Sequence, residues 1–347
     1  MKKLLSLILS SLILLSLAAC GQKDTTPSQD STEDGKVYEM KLSTFVGSSD
    51  EQMKLMNGFV QKVDERTDGH VKITIYPGEQ LGGYEQTFEE TMRGTIEFGI
   101  NSTAASFDNR LSASNLTGGV YKDYDTVEKV TAKGSTLYNT IDEAMDGLGL
   151  KFLGFFVGGY YNLCLNVEPE EGYADPDVQK NALIRVNTYE VTDKIISTMG
   201  YRTASLPGSE VYSSLQTGVI DGTTGQDFSL IINNYSDVLK YVIETRHLLS
   251  CDAIFMNKKL FDSMPQEYQD VIVECSQEFQ QASIDYNRDF EEAAIPQLEA
   301  KGIEVIKLTD AEREKLDGRL RDEVWPWYVE QFGQEFMDGV KADAGIS

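Results

Sequence analysis

The sequence predicts an α/β protein built from two similar lobes that face each other across a cleft. Three observations carry that prediction. A β-α-β-α-β pattern runs through residues 38–101, the same grammar returns through residues 181–222, and from residue 265 the chain reads as helix for a long way. Parallel strands joined by helices place ligands beyond the strands' carboxyl ends, so two such units suggest a site between them.

In the first unit, "YEMKLSTFV" (38–46) alternates and then turns apolar, as an entering strand does. Met53, Met56, Phe59, Val60 and Val63 recur at helical spacing, with Asp50 as a candidate cap. "HVKITIYP" alternates as a second strand and ends at Pro77. A Gly-rich turn, a helix over 84–92 and a third strand over 96–101 complete the unit. In the second unit "NALIRVN" is a strand, Thr188 caps a helix that closes at Gly200, and "YRTASLP" is the next strand. Ser209 caps "EVYSSLQTG", in which Val211 and Leu215 share a face, and "VIDG" is a brief third strand. Residues 266–300 read as one long helix interrupted at Pro296, followed by the strand "IEVIKL" and closing helices. Strands near 159–165 and 246–252 are expected to cross between the lobes.

The beginning of the chain speaks to compartment. Lys2 and Lys3 precede the apolar run "LLSLILSSLILLSL", a secretory pattern. "LAAC" at 17–20 resembles a bacterial lipoprotein box, which implies cleavage of residues 1–19, lipidation of Cys20 and attachment to the outer face of a membrane. The alternative is an ordinary secretory peptide that ends near a cysteine. Residues 20–36 have no large apolar side chain before Lys36 and read as a flexible tether.

Composition narrows the partners. The chain carries a net charge of −25, and losing Lys2 and Lys3 with the leader makes it −27. That argues against nucleic acid or an anionic lipid surface. About 300 ordered residues fit two domains. Cys164, Cys251 and Cys275 have no metal-like spacing and read as small buried hydrophobes, and His70 and His247 are the only histidines. Neither a zinc site nor a His-based nucleophile is expected, and no catalytic or cofactor fingerprint is present. The chain is expected to be a cofactor-free binding protein and not an enzyme.

Arg185 is the anomaly. It stands among Leu183, Ile184 and Val186 in a run that otherwise reads as core. An unpaired buried guanidinium is expensive, so it must have a fixed acidic partner or be waiting for one.

Three stretches resolve the choice by resemblance: "GEQLGGYEQTFEETMRGTIEFGI", "IRV...TMGYRTASLPGSEVYSSLQTGVIDG" and "FMNKKLFDSMPQEYQDVI". In this order and spacing they resemble the solute receptors of TRAP transporters, the tripartite ATP-independent uptake systems, of the dicarboxylate-receptor (DctP) type. "SEVYSSLQTGVIDG" is the most specific piece, and the likeness runs over about 38–335. The resemblance implies a periplasmic-binding-protein-like fold. Lobe I would be 37–158 plus 249–291, lobe II 159–248 plus 292–345, and the long helix would span both. It also implies a monomer that closes over an organic acid and delivers it to a membrane permease.

Arg185 falls on the family arginine that holds the ligand carboxylate by two prongs. The sequence departs from the pattern at two places. Tyr161, with Asn162 beside it, stands where many relatives carry a second arginine, and Gly225 stands where many carry Asn or an aromatic. Family position further points to Phe45, Asp50, Glu85, Asn101 and Ser102 in the first lobe, and to Asp227 and Phe228 in the second. The same fold presenting its ligand to a signalling protein, an ABC-type receptor and a lipoprotein enzyme are the competing classes. "SEVYSSLQTGVIDG" counts against the second, and the absence of a convincing carboxylate pair or nucleophile counts against the third.

Overall fold

The structure, a computed structural model, describes residues 35–117 and 119–346. The leader, Cys20 and most of the tether lie outside the described residues. Strand β1 (Tyr38–Thr44) pairs in parallel with β2 (Val71–Tyr76) on one side and β3 (Phe98–Asn101) on the other. Helices α1 (Met53–Arg66) and α2 (Tyr84–Arg93) make the crossovers. The second unit repeats the arrangement: β5 (Leu183–Val186) lies in parallel between β6 (Arg202–Ser205) and β7 (Gly222–Thr223), with α5 (Glu190–Thr198) and α6 (Gly208–Thr217) as crossovers.

Two long antiparallel strands join the units, β4 (Leu150–Leu165) and β8 (Tyr241–Asn257), giving the order β2-β1-β3-β8-β4-β7-β5-β6. The expectation that strands near 159–165 and 246–252 pass from one unit to the other is therefore met. The register of this pair shifts three times, once between Tyr161 and Leu163, and Arg246 opposite that break takes a left-handed backbone (φ 43°). Extra residues at such points bend a ladder and re-aim its side chains.

The remaining helices are α3 (Tyr124–Thr131), α4 (Thr136–Gly147), the short α7 (Phe228–Leu230) and α8 (Lys258–Asp262), the long α9 (Gln266–Ala300), α10 (Asp310–Phe332) and α11 (Gln334–Ala344). Strand β9 (Glu304–Lys307) adds to β8 in parallel. Helix α9 touches three buried clusters in turn. Its Ile272 and Phe279 pack with Leu42, Met56 and Phe98 of the first unit. Ile284 enters the large central cluster. Ala294 and Leu298 pack with Val211 and Leu215 of the second unit.

Three local expectations are corrected. Helix α9 continues without interruption past Pro296. Proline there removes one backbone donor, but burial of Ala294 and Leu298 on either side holds the helix together. Thr188 does not cap α5, whose N-cap is Tyr189, and Ser209 lies inside α6, whose N-cap is Pro207. In both, chain geometry at the end of the preceding strand, not a side-chain cap, sets the start. The three cysteines are free and buried. Among the described residues no helix is long and apolar enough to cross a membrane.

Candidate functional site

The alternation of β5 explains how a guanidinium comes to sit in an apolar run. Ile184 and Val186 point into the central cluster, fully buried, and Arg185 points to the opposite face. There it is only 7% exposed. Its Nε donates to the Leu206 carbonyl at 2.9 Å and its Nη1 to the Thr224 carbonyl at 3.4 Å. These carbonyls follow the ends of β6 and β7, so the parallel strands themselves orient the side chain. Among the described residues no carboxylate lies within ion-pairing distance of it. Burial lowers its pKa from the ordinary value, while Tyr235 and Tyr161 act the other way, and a guanidinium remains charged throughout. It is a buried cation held by neutral acceptors.

A cavity of about 390 Å³ lies beside it, at the carboxyl ends of the parallel strands. Phe45 follows β1, Ser102 follows β3, and Gly225 follows β7; all three line it, as does Gly208 at the start of α6. The two glycines separate the cavity from Arg185. A Cβ on Gly225 would stand 3.7 Å from Nη1, and one on Gly208 4.0 Å from Nη2. Because neither carries a side chain, only backbone stands between the guanidinium fork and the cavity. Gly225 also adopts φ +92°, a backbone that favours glycine independently.

The charged side chains that line the cavity are acidic, Asp50, Glu79, Asp227 and Asp252. Asp252, 3% exposed, accepts from Ser102 Oγ at 2.6 Å and Ser250 Oγ at 2.8 Å. Asp227 caps α7 by accepting from the Leu230 amide at 2.8 Å. Burial pushes its carboxyl up to about 7, and Asp50 and Asp252 add to the shift. Asp50 accepts from Ser229 Oγ at 2.9 Å and Asn233 Nδ2 at 3.3 Å, a contact between the first unit and the second. Tyr161 lies between the poles. Burial raises its phenol, Asp252 and Asp227 raise it further, and Arg185 lowers it.

Of the residues singled out by sequence, Phe45, Asp50, Ser102, Tyr161, Gly225 and Asp227 line this cavity, and Arg185 stands behind its glycine wall. Four others lie elsewhere. Asn162 faces the sheet: its Nδ2 donates to the Tyr160 carbonyl and its Oδ1 accepts from the Arg246 amide at 3.1 Å. Phe228 belongs to the cluster with Val211 and Leu215. Asn101 donates to the Ser43 carbonyl at 3.0 Å, bracing β1 against β3. Glu85 is exposed, beside a separate depression with Tyr84 and Trp327. Sequence reasoning missed Asp252, Ser250, Gln52 and Gly208. The signal for Asp252 was present, since an acid within "LLSCDAIFMN" is the same anomaly as Arg185 within "NALIRVN".

A larger cavity, about 840 Å³, opens near α10. Three of its cations are ion-paired, Arg246 with Glu291 at 3.0 Å, Lys307 with Glu292 at 3.1 Å and Arg321 with Glu314 at 2.5 Å, while Arg313 donates to the Glu244 and Thr245 carbonyls.

A sheet that crosses between two α/β lobes, with a cavity at the strand ends, is the architecture of a solute receptor. Residues 42–331 match the family model of the bacterial extracellular solute-binding proteins, family 7 (DctP), and the chain belongs to that family. Among curated proteins it is 23% identical over 304 residues to the 2,3-diketo-L-gulonate-binding periplasmic protein YiaO of Escherichia coli, covering 88% of this chain and 91% of that one. Among solved structures it superposes on a TRAP periplasmic solute binding protein from Desulfovibrio salexigens with bound orotic acid. There the TM-score is 0.79 at 22% identity, covering 89% of this chain and 99% of that one. It superposes equally on the sugar acid binding protein DctPAm of Advenella mimigardefordensis in complex with galactonate, at TM-score 0.79 and 22% identity, covering 90% and 99%.

Proposed function

We propose that this protein is the extracytoplasmic receptor of a TRAP transporter that captures an organic acid through Arg185 and hands it to the membrane permease. One observation carries the binding step: a guanidinium, more than nine-tenths buried, has no carboxylate partner among the described residues and is divided from the cavity only by the backbone of two glycines. A charge so desolvated is stabilised most by a partner that arrives with its own negative charge and two parallel acceptors. Orotic acid and galactonate, bound by the two structural relatives, are carboxylates that meet this description.

The ligand binds through one carboxylate only. Beyond Arg185 the cavity offers Asp50, Asp227 and Asp252, which would repel a second. The overall negative charge does not repel the first, because surface charges beyond about 8–10 Å are screened at physiological salt. Lobe I, 37–158 plus 249–291, closes on lobe II, 159–248 plus 292–345, with β4, β8 and α9 bending between them. The receptor acts as a monomer tethered by a lipid at Cys20.

The test is a thermal-shift screen of organic acids and sugar acids. A ligand at 100 times its Kd adds about 2.7 kcal/mol of stability. Monocarboxylates should shift the melt more than succinate or malate. Tight succinate binding beside weak monocarboxylate binding would refute the single-carboxylate claim, and stabilisation by neutral compounds alone would refute the receptor of acids.

A further inference from the structure

Resting on the receptor reading above, we propose that the ligand also carries a protonated amine, so that the substrate class is an amino acid or an amino sugar acid. The cavity has two poles. At one is Arg185, and at the other Asp227 and Asp252, 8% and 3% exposed, neither with a cationic partner among the described residues.

The acidic pole sets two desolvated carboxylates among neutral polar groups, Gln52, Asn233 and Asn234. Both serine hydroxyls beside Asp252 are already spent on it. Gln52, 3% exposed and also lining the cavity, has an Oε1 with no hydrogen-bond partner. A buried acceptor left unpaired is unfavourable, and two desolvated carboxylates without a counter-ion beside it ask for a ligand group that is positively charged and rich in donors. A hydroxyl brings one donor and no charge. An ammonium brings three donors and the positive charge that the acids lack. A metal ion is a poorer fit, because among the described residues no three acidic, histidine or cysteine side chains stand close enough together to hold one.

The experiment is titration calorimetry of the protein at pH 7 against matched pairs: glycine and glycolate, 4-aminobutyrate and 4-hydroxybutyrate, D-glucosaminate and D-gluconate. At least one amino acid should bind tenfold or more tightly than its hydroxy twin. Asp252→Asn and Asp227→Asn should each shrink that ratio, and asparagine preserves the cap at position 227. If Asp227→Asn does not fold, Asp252→Asn alone decides. Hydroxy acids that equal or exceed their amino twins, or no amino acid binding at all, overturn the inference. If those hydroxy acids still require Arg185, the receptor reading stands. Amines without a carboxylate that bind equally well to Arg185→Ala would overturn the receptor reading instead.

Discussion

Replacing Arg185 by alanine should separate binding from folding. In the ligand-free protein the guanidinium has one good hydrogen bond, 2.9 Å to the Leu206 carbonyl, and a weaker one at 3.4 Å. A charged hydrogen bond contributes about 1.5–3 kcal/mol. Its loss is offset by removing a charge that is 7% exposed and has no counter-ion. The net change in stability is therefore expected within about 2 kcal/mol, and the melt should remain cooperative. Binding should suffer far more. Removing one partner of a desolvated ion pair costs about 3–5 kcal/mol, and 1.4 kcal/mol is tenfold. The expected loss is roughly a hundred- to a few thousandfold in Kd. Arg185→Lys should not rescue it, because a point ammonium cannot make two parallel bonds to a carboxylate. Calorimetry with the best acid from the screen measures both variants. Wild-type affinity in Arg185→Ala, with the fold intact, would refute the reasoning.

Further expectations follow from other parts of the molecule. Burial lowers the His247 pKa to about 3 from the model-compound 6.5, with Arg313 adding to it, so its contribution to stability is present above pH 6.5 and is lost as pH falls towards 3. Asp227 has the opposite sign: its contribution is present below about pH 4 and is lost as pH rises through about 7. Denaturant titrations from pH 4 to 8 should show a smaller fall in stability with rising pH for Asp227→Asn than for wild type, and an unchanged profile would contradict this assignment. Small-angle scattering should record compaction when a true ligand saturates the protein, and an unchanged radius would argue for a rigid site. Cys20→Ser should move the protein from membranes to the soluble fraction, and mass spectrometry of wild type without an acyl group at Cys20 would refute the lipid anchor.

How much of this was legible in the sequence depended on range. The two β-α-β-α-β units were readable because their periodicities are local, and Arg185 stood out because a cation interrupts an apolar strand. The caps of α5 and α6 were not, because strand geometry sets those starts and Thr188 and Ser209 only have suitable chemistry. Nor did local pattern distinguish Asn162 from its neighbour Tyr161. Which of the two faces the cavity depends on the register break opposite Arg246, a property of the β4–β8 pairing. Asp50 and Asp227 were singled out one by one, but their assembly with Asp252 into one acidic pole was not legible, since the three come from distant segments.

The central claim, that Arg185 meets a ligand carboxylate in this cavity, is tested most directly by a double-substitution cycle on both molecules. The tightest-binding acid and its primary amide are titrated against wild type and Arg185→Ala. The amide keeps the ligand's shape and removes its charge. The account predicts that wild type prefers the acid by a hundredfold or more, and that Arg185→Ala loses most of that preference, so that the two changes are strongly coupled. A preference for the acid that persists undiminished without Arg185, or an amide that binds wild type as well as the acid does, would contradict it.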